Sequence, residues 1–249
     1  TRWLNVTGVQ TCALPICRGV NMKPLQIAID GPSGAGKSTM AKILSKRLGI
    51  MYLDTGAMYR ALALKAIRAG IDTHDREKVS SLLSDTDISI EYENGSQKVI
   101  LDGEDVSDKI RTDEVSMGAS AVSAIPEVRV KLVELQQKIA SDNPVVMDGR
   151  DIGTHVLPDA QVKIFLTASA RERALRRYRE QKEKGILSKS LEELEKEIEI
   201  RDYNDSNRAQ SPLRQADDAI LLDTSNLTIE ESAEKILGIV RAKGFSDAL

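Results

Sequence analysis

The chain has 249 residues; 41% are hydrophobic, 29% charged and 3% aromatic, and the formal net charge is −3. This is the composition of a globular chain with one large domain, or a core carrying an insertion, and it excludes a fibre or a chain disordered throughout. No run approaches the roughly 18 apolar residues of a membrane span, and an acidic balance with few aromatic rings argues against nucleic acid as a partner.

Residues 1–21 differ from the rest. They hold Trp3 and both cysteines, Cys12 and Cys17. Their apolar residues follow neither a helical nor a strand period, and they lack the continuous apolar run of a secretory signal. Met22 opens MKPLQIAID, which reads as a natural start. We therefore expect a foreign-looking or disordered tail at 1–21 and a folded domain over 22–249. Two cysteines without histidine partners make a poor zinc site. The absence of cysteine after Cys17 fits a reducing cytoplasm, the expected location.

From residue 25 onward, short apolar runs alternate with amphipathic stretches. LQIAID (25–30) reads as a buried strand, followed by glycines and a helix over 37–49 with Gly49 as its C-cap. IMYLD (50–54) is a second strand and 57–70 a second helix. PVVMD (144–148), QVKIFLT (161–167) and AILLD (219–223) are further strands. Helices are expected over 126–141, 169–184, 190–208 and 228–243, with Pro126 in a first turn. Strands alternating with helices predict an α/β fold with a parallel sheet covered on both faces. One segment breaks the rhythm. DISIEYENGSQKVILDG (87–103) contains two alternating runs joined by Asn94-Gly95, a tight-hairpin signal. The expected layout is a core over 22–70 and 121–249 with an inserted subdomain over about 71–120.

The strongest motif follows the first strand. Gly31, Pro32, Ser33, Gly34, Ala35, Gly36, Lys37 and Ser38 fit G-x-x-x-x-G-K-[ST], with Thr39 next. Glycines let successive N–H groups point at one phosphate chain. The helix that follows presents its positive end to the anion. Lys37 can reach the β and γ phosphates, and Ser38 can ligate Mg²⁺. ATP or GTP binding follows, but not yet a reaction. No Asn-Lys-x-Asp guanine-reading motif is present. The second half is instead crowded with arginine and aspartate, which suggests two phosphate-bearing substrates brought together.

Further motifs fall in a specific order: YLDTGAMYR (52–60), DGEDVSDKIRT (102–112), DGRDIGT (148–154), VKIFLTAS (162–169) and RDYNDSNR (201–208), before Ser211-Pro212-Leu213. With IDGPSGAGKST (29–39), this order resembles the bacterial cytidylate kinases over nearly all of 24–243. Thr55 stands where that family often has Ser, and Ile200 where it has an acidic residue. Some members have Gly at the position of Ser38, which lowers the weight of that hydroxyl as a metal ligand.

The resemblance implies a P-loop nucleoside-monophosphate kinase fold with a nucleotide-binding insertion and a helical lid over about 170–190. It implies transfer of the γ-phosphoryl group of ATP to CMP or dCMP with Mg²⁺, in a monomer. Arg60, Arg129 and Arg150 would hold the acceptor phosphate. Thr55, Asp205 and Arg208, with Arg201 nearby, would read cytosine, and Asp151 would bind the ribose. Asp148 would sit beside metal and phosphates, and Arg173 or Arg177 would reach the transferring group from the lid. By spacing alone, Arg201, Asp205 and Arg208 read equally well as ion pairs on one helix face. Arg60 could merely snorkel, and 148–151 could be a solvated turn. The lid segment, 171–184, could be a solvated basic face or a weak nucleic-acid patch. His74 and His155 lack partners for acid–base or metal work. A P-loop kinase for another small acceptor and a nucleotide-binding regulatory module without catalysis remain the alternatives.

Overall fold

A computed structural model describes residues 24–93 and 96–245. The 1–21 tail, Cys12, Cys17 and the Asn94-Gly95 turn lie outside the described residues. The chain begins β1 (Gln26–Asp30), α1 (Lys37–Leu48), β2 (Met51–Asp54) and α2 (Thr55–Arg68). An inserted stretch follows: α3 (Arg76–Leu82), β3 (Ile88–Glu93), β4 (Ser96–Leu101), β5 (Glu104–Asp105) and α4 (Asp113–Val122). The core resumes with α5 (Pro126–Asp142), β6 (Val145–Gly149), β7 (Val162–Thr167), α6 (Ala170–Glu183), α7 (Leu191–Asn207), β8 (Ile220–Asp223) and α8 (Ile229–Ala242).

Five strands form a parallel sheet in the order β2-β6-β1-β7-β8. Ile29 of β1 lies opposite Asp148 of β6 on one side and Ile164 of β7 on the other. Side chains alternate across a strand, so the sheet supplies two cores. Ile27, Ile29, Val146 and Ile164 pack with Leu44 of α1 and Ile236 and Leu237 of α8. Ala28, Leu53, Val145 and Met147 pack with Met58 and Leu62 of α2 and with Leu132 of α5. Ala174, Leu194 and Ile198 form a third, smaller core between α6 and α7. Among the described residues no helix is long and apolar enough to cross a membrane.

The separate antiparallel sheet, β3-β4-β5, contains the expected hairpin, with Ile90 opposite Val99. It docks on the edge of the parallel sheet through two bonds: Tyr92 Oη donates to the Tyr52 carbonyl at 2.6 Å, and the Asp54 N–H donates to Gln97 Oε1 at 2.8 Å. Elements without a clear sequence signal are α3, α4, β5 and a π-helical turn over Ile152–Val156. The α4 sequence DEVSMGASAV is rich in Ser, Gly and β-branched residues, all weak helix formers. A Thr112 side-chain cap on Val115 N–H and burial of Val115, Gly118, Ala119 and Val122 hold it.

Leu62 is fully buried between α2 and the sheet. Leu62→Ala is expected to cost about 2–5 kcal/mol, read as a lower midpoint in urea unfolding with an unchanged slope.

Candidate active site

The site lies beyond the carboxyl ends of β1, β2 and β6, where an open α/β sheet leaves a crevice. Two cavities meet there. The smaller, about 580 Å³, is lined by the loop from Ser33 to Thr39 and by Arg173, Arg176, Arg177, Thr224 and Leu227. The loop has the glycine geometry expected of an anion cradle. Gly36, at φ 91°, is the N-cap of α1, and Gly31, at φ 146°, runs against the Leu166 carbonyl, where no Cβ fits. The first turn of α1 carries no acidic residue and no side-chain cap, so its N–H groups face the cavity free for an anion. Lys37 is buried beside them, its Nζ donating to the Pro32 carbonyl at 2.7 Å. Burial and then the like charge of Arg150 push its pKa down, while Asp148 opposes them.

The larger cavity, about 1060 Å³, runs from the loop between β2, α2, the antiparallel sheet, α4 and α7. Its wall is a lattice of buried and half-buried ion pairs. Arg60 meets Asp54 at 2.7 Å, and Arg150 Nε meets Asp205 Oδ2 at 2.8 Å. Arg129 donates to Asp151 and lies over the Tyr59 ring, 5.7 Å from its centre. Arg208 approaches the other Asp151 oxygen at 3.5 Å and donates to the Ser211 carbonyl at 2.7 Å. Burial raises the Asp205 carboxyl, but Arg150, Arg201 and Arg208 overcome it and hold the group below the usual carboxylate range. Burial, followed by the charge of Arg150, brings Arg201 down to about 10. Its Nε and that of Arg60 are buried without a hydrogen-bond partner, as is Gln97 Nε2. Buried donors in a native site are ordinarily satisfied, and all three of these belong to residues that line the larger cavity.

Both cavities are lined by Ser33, Gly34, Lys37, Ser38, Ser116 and Arg201. At this neck Ser38 Oγ donates to Asp148 Oδ2 at 2.8 Å and Tyr52 Oη to Asp148 Oδ1 at 3.0 Å. Burial, then the nearby Asp54, raises the Asp148 carboxyl. The arrangement can hold two anionic groups end to end between cations.

The cytidylate kinase family model matches residues 27–242. The chain belongs to the cytidylate kinase family. A cytidylate kinase of Caldicellulosiruptor saccharolyticus is 56% identical over 216 residues, 87% of this chain and 95% of the relative. One of Lactobacillus johnsonii is 52% identical over 219 residues, 88% of this chain and 95% of the relative. Among solved structures, a gluconokinase from Sinorhizobium meliloti aligns at a TM-score of 0.46 and 14% identity, covering 89% of this chain and 94% of that one. Nothing rests on a likeness at that level.

For this cytidylate kinase family chain, the structure brings Lys37, Ser38, Thr55, Arg60, Arg129, Asp148, Arg150, Asp151, Arg201, Asp205 and Arg208 to one cleft. Thr55 is turned inward, its hydroxyl donating to the Asp148 carbonyl at 2.8 Å. Arg173 lines the smaller cavity but is held by the protein: it donates to the Ala168 and Ser33 carbonyls, each at 2.9 Å, and pairs with Asp202 at 2.5 Å. It braces the phosphate loop against α6. Arg177 bridges to Asp113 of α4 at 3.0 Å. Sequence reasoning passed over Arg176, whose guanidinium donates to the Thr224 carbonyl at 2.7 Å beside the smaller cavity. It also passed over Ser116, Ser120, Tyr59 and Gln97 on the larger wall. Asp54, which caps α2 and holds Arg60, had a visible signal: QIAID, MYLD, VVMD and ILLD all close an apolar run with Asp at or one residue before the strand end.

Gly149, between Asp148 and Arg150, has no room for a side chain: an added Cβ would lie 2.6 Å from Ile152 Cδ1 and 2.9 Å from Thr55 Oγ1. Gly149→Ala is expected to destabilise by about 1–3 kcal/mol through overpacking, visible as a lower Tm in calorimetry.

Proposed function

We propose that this chain transfers the γ-phosphoryl group of ATP to CMP or dCMP, giving ADP and CDP or dCDP. The observation that carries the reading is the neck where two cavities share Lys37, Ser38 and Arg201. Donor and acceptor phosphates would enter from opposite sides and meet there. Together they bring about four or more negative charges into one site, so charge compensation and alignment dominate catalysis.

Each group then has a task. The amides of the 31–36 loop and Lys37 hold the donor phosphates. Arg60 and Arg150 grip the acceptor phosphate, and Arg201 faces both phosphates from the neck. Planar guanidinium forks suit phosphate oxygens better than ammonium groups do. Arg129 and Arg208 are held in register by Asp151, whose carboxylate also faces the ribose. Arg150 occupies only Oδ2 of Asp205, so Oδ1 can accept from the exocyclic amino group of cytosine. Uracil offers an oxygen there, which a carboxylate repels. Arg208 and the Thr55 oxygen complete the base contacts. Arg177, whose partner Asp113 is exposed, is the lid arginine placed to move onto the phosphoryl group, while Arg173 keeps the loop in shape. Closing of α6 and α7 would exclude water from the neck.

The oxygen-only set of Ser38 and Asp148 beside the phosphate loop fits Mg²⁺, a hard cation that takes few protein ligands and shares the rest with phosphate and water. Bound there, Mg²⁺ would neutralise charge on the β and γ oxygens.

The test is ADP release from MgATP with CMP, dCMP, UMP, AMP and dTMP as separate acceptors. Stimulation by CMP and dCMP above the others is expected. Equal or greater stimulation by another acceptor would discard the cytosine pocket, and tight nucleotide binding without any stimulation would discard the kinase. Asp205→Ala removes a charge-assisted acceptor, so the ratio of kcat/KM for CMP over UMP is expected to fall by about 10–100-fold. An intact ratio would refute the assignment of Asp205 to the base.

A further inference from the structure

Asp30 ends β1 and immediately precedes Gly31 of the phosphate loop. Its carboxylate does not point into either cavity. Oδ1 accepts from the Ile152 N–H and Oδ2 from the Gly153 N–H, both at 2.7 Å. These are the first N–H groups of the π-helical turn over Ile152–Val156. Leading N–H groups of a helical turn have no partner within it, and the residue at the N-cap ordinarily supplies one from its own side chain.

Here the N-cap is Asp151, and its side chain makes no capping bond. Both of its oxygens are turned the other way, to Arg129 and Arg208. Asp151 can face the cleft because a carboxylate from a different strand has taken over the capping. Glycine at 153 is part of the arrangement: a Cβ there would stand 3.3 Å from Asp30 Oδ2 and 3.2 Å from Lys163 Cδ.

We infer that Asp30 is a positioning residue for the acceptor, capping the turn after Arg150-Asp151 from the base of the donor loop. It thereby fixes the two loops relative to each other. One residue is bonded through its backbone to Gly31 and through both side-chain oxygens to the acceptor loop. The donor loop keeps its own anchors, Lys37 on the Pro32 carbonyl and Arg173 on the Ser33 carbonyl, whereas the turn after Asp151 takes its cap from Asp30. The cost of the arrangement is visible: burial raises the Asp30 carboxyl to about 6 despite its two amide bonds. Stability alone gives no reason to keep a buried carboxylate there.

The inference rests on the kinase reading above. Asp30→Asn keeps the size but offers one acceptor oxygen in place of two. The experiment measures Tm, the dissociation constant of MgADP by calorimetry, and steady-state kinetics with CMP, on wild type and variant side by side. The expected result is MgADP affinity within about twofold, with kcat/KM for CMP lowered about 100-fold, the scale of a misplaced reacting group. Joining Asp30→Asn to Asp151→Asn should cost much less than the product of the two single effects, because Asp30 acts through the Asp151 loop. MgADP and CMP affinities falling together, or unchanged CMP kinetics, would overturn the inference. If the variant does not fold, amide exchange of the wild type decides: Ile152 and Gly153 N–H should exchange slowly without nucleotide, and fast exchange overturns it. A wild type that ignores CMP would instead overturn the kinase reading while leaving the exchange result intact.

Discussion

A guanidinium cannot stay buried without a countercharge. A site built to receive phosphate must nevertheless keep its cations ready while no phosphate is bound. This chain meets both demands by pairing four of its inward arginines with an aspartate on a different element: Arg60 with Asp54, Arg129 with Asp151, Arg150 with Asp205 and Arg173 with Asp202. A buried pair adds little net stability over apolar packing, because desolvation offsets attraction. Its value here is geometric. Each aspartate fixes the direction of its guanidinium, so a preorganised cation needs little reorganisation to meet an anion.

The parallel sheet makes this lattice possible. Its strands deliver Asp30, Asp54 and Asp148 to one edge at neighbouring registers, Asp30 opposite Gly149 and Asp54 opposite Asp148. Four strands end in a carboxylate or its neighbour while their interiors are apolar. The Asp residues at that end differ in task because their surroundings differ. Asp54 caps α2 and pairs with Arg60, Asp148 gathers hydroxyls from Ser38 and Tyr52, and Asp30 binds only backbone.

Much of this was legible in the sequence. The parallel sheet could be read because its strands are short apolar runs separated by periodic helices. The phosphate loop could be read because its glycines are dictated by geometry rather than by context. The arginines of the acceptor side were a different matter. Arg201, Asp205 and Arg208 at i, i+4 and i+7 look the same whether their helix faces water or a cleft, and only the family resemblance separated the two. The structure then shows what spacing could not: Arg173 is spent on the loop itself, and Asp151 has given up capping its own turn. Both depend on contacts across long stretches of chain, 140 residues between Arg173 and Ser33 and 122 between Asp30 and Ile152. Helix α4 escaped notice for a related reason. Its Ser, Gly and Val residues are weak helix formers, but small residues are what let it lie against α2 and line the cleft.

The two apolar cores explain how the site can carry so many costly features. Alternation along each strand sends one set of side chains to α1 and α8 and the other to α2 and α5. Most of the apolar burial that stabilises the sheet therefore lies away from its carboxyl edge. That edge can hold left-handed glycines at 34 and 36, a π turn, and buried donors without partners. None of these is a stabilising feature of a regular sheet edge. Gly31 illustrates the division of labour. Its neighbour on one side is the strand residue Asp30, tied to the acceptor loop, and its own backbone presses on the Leu166 carbonyl of β7. The phosphate loop is thus held between the turn that follows β6 and the end of β7.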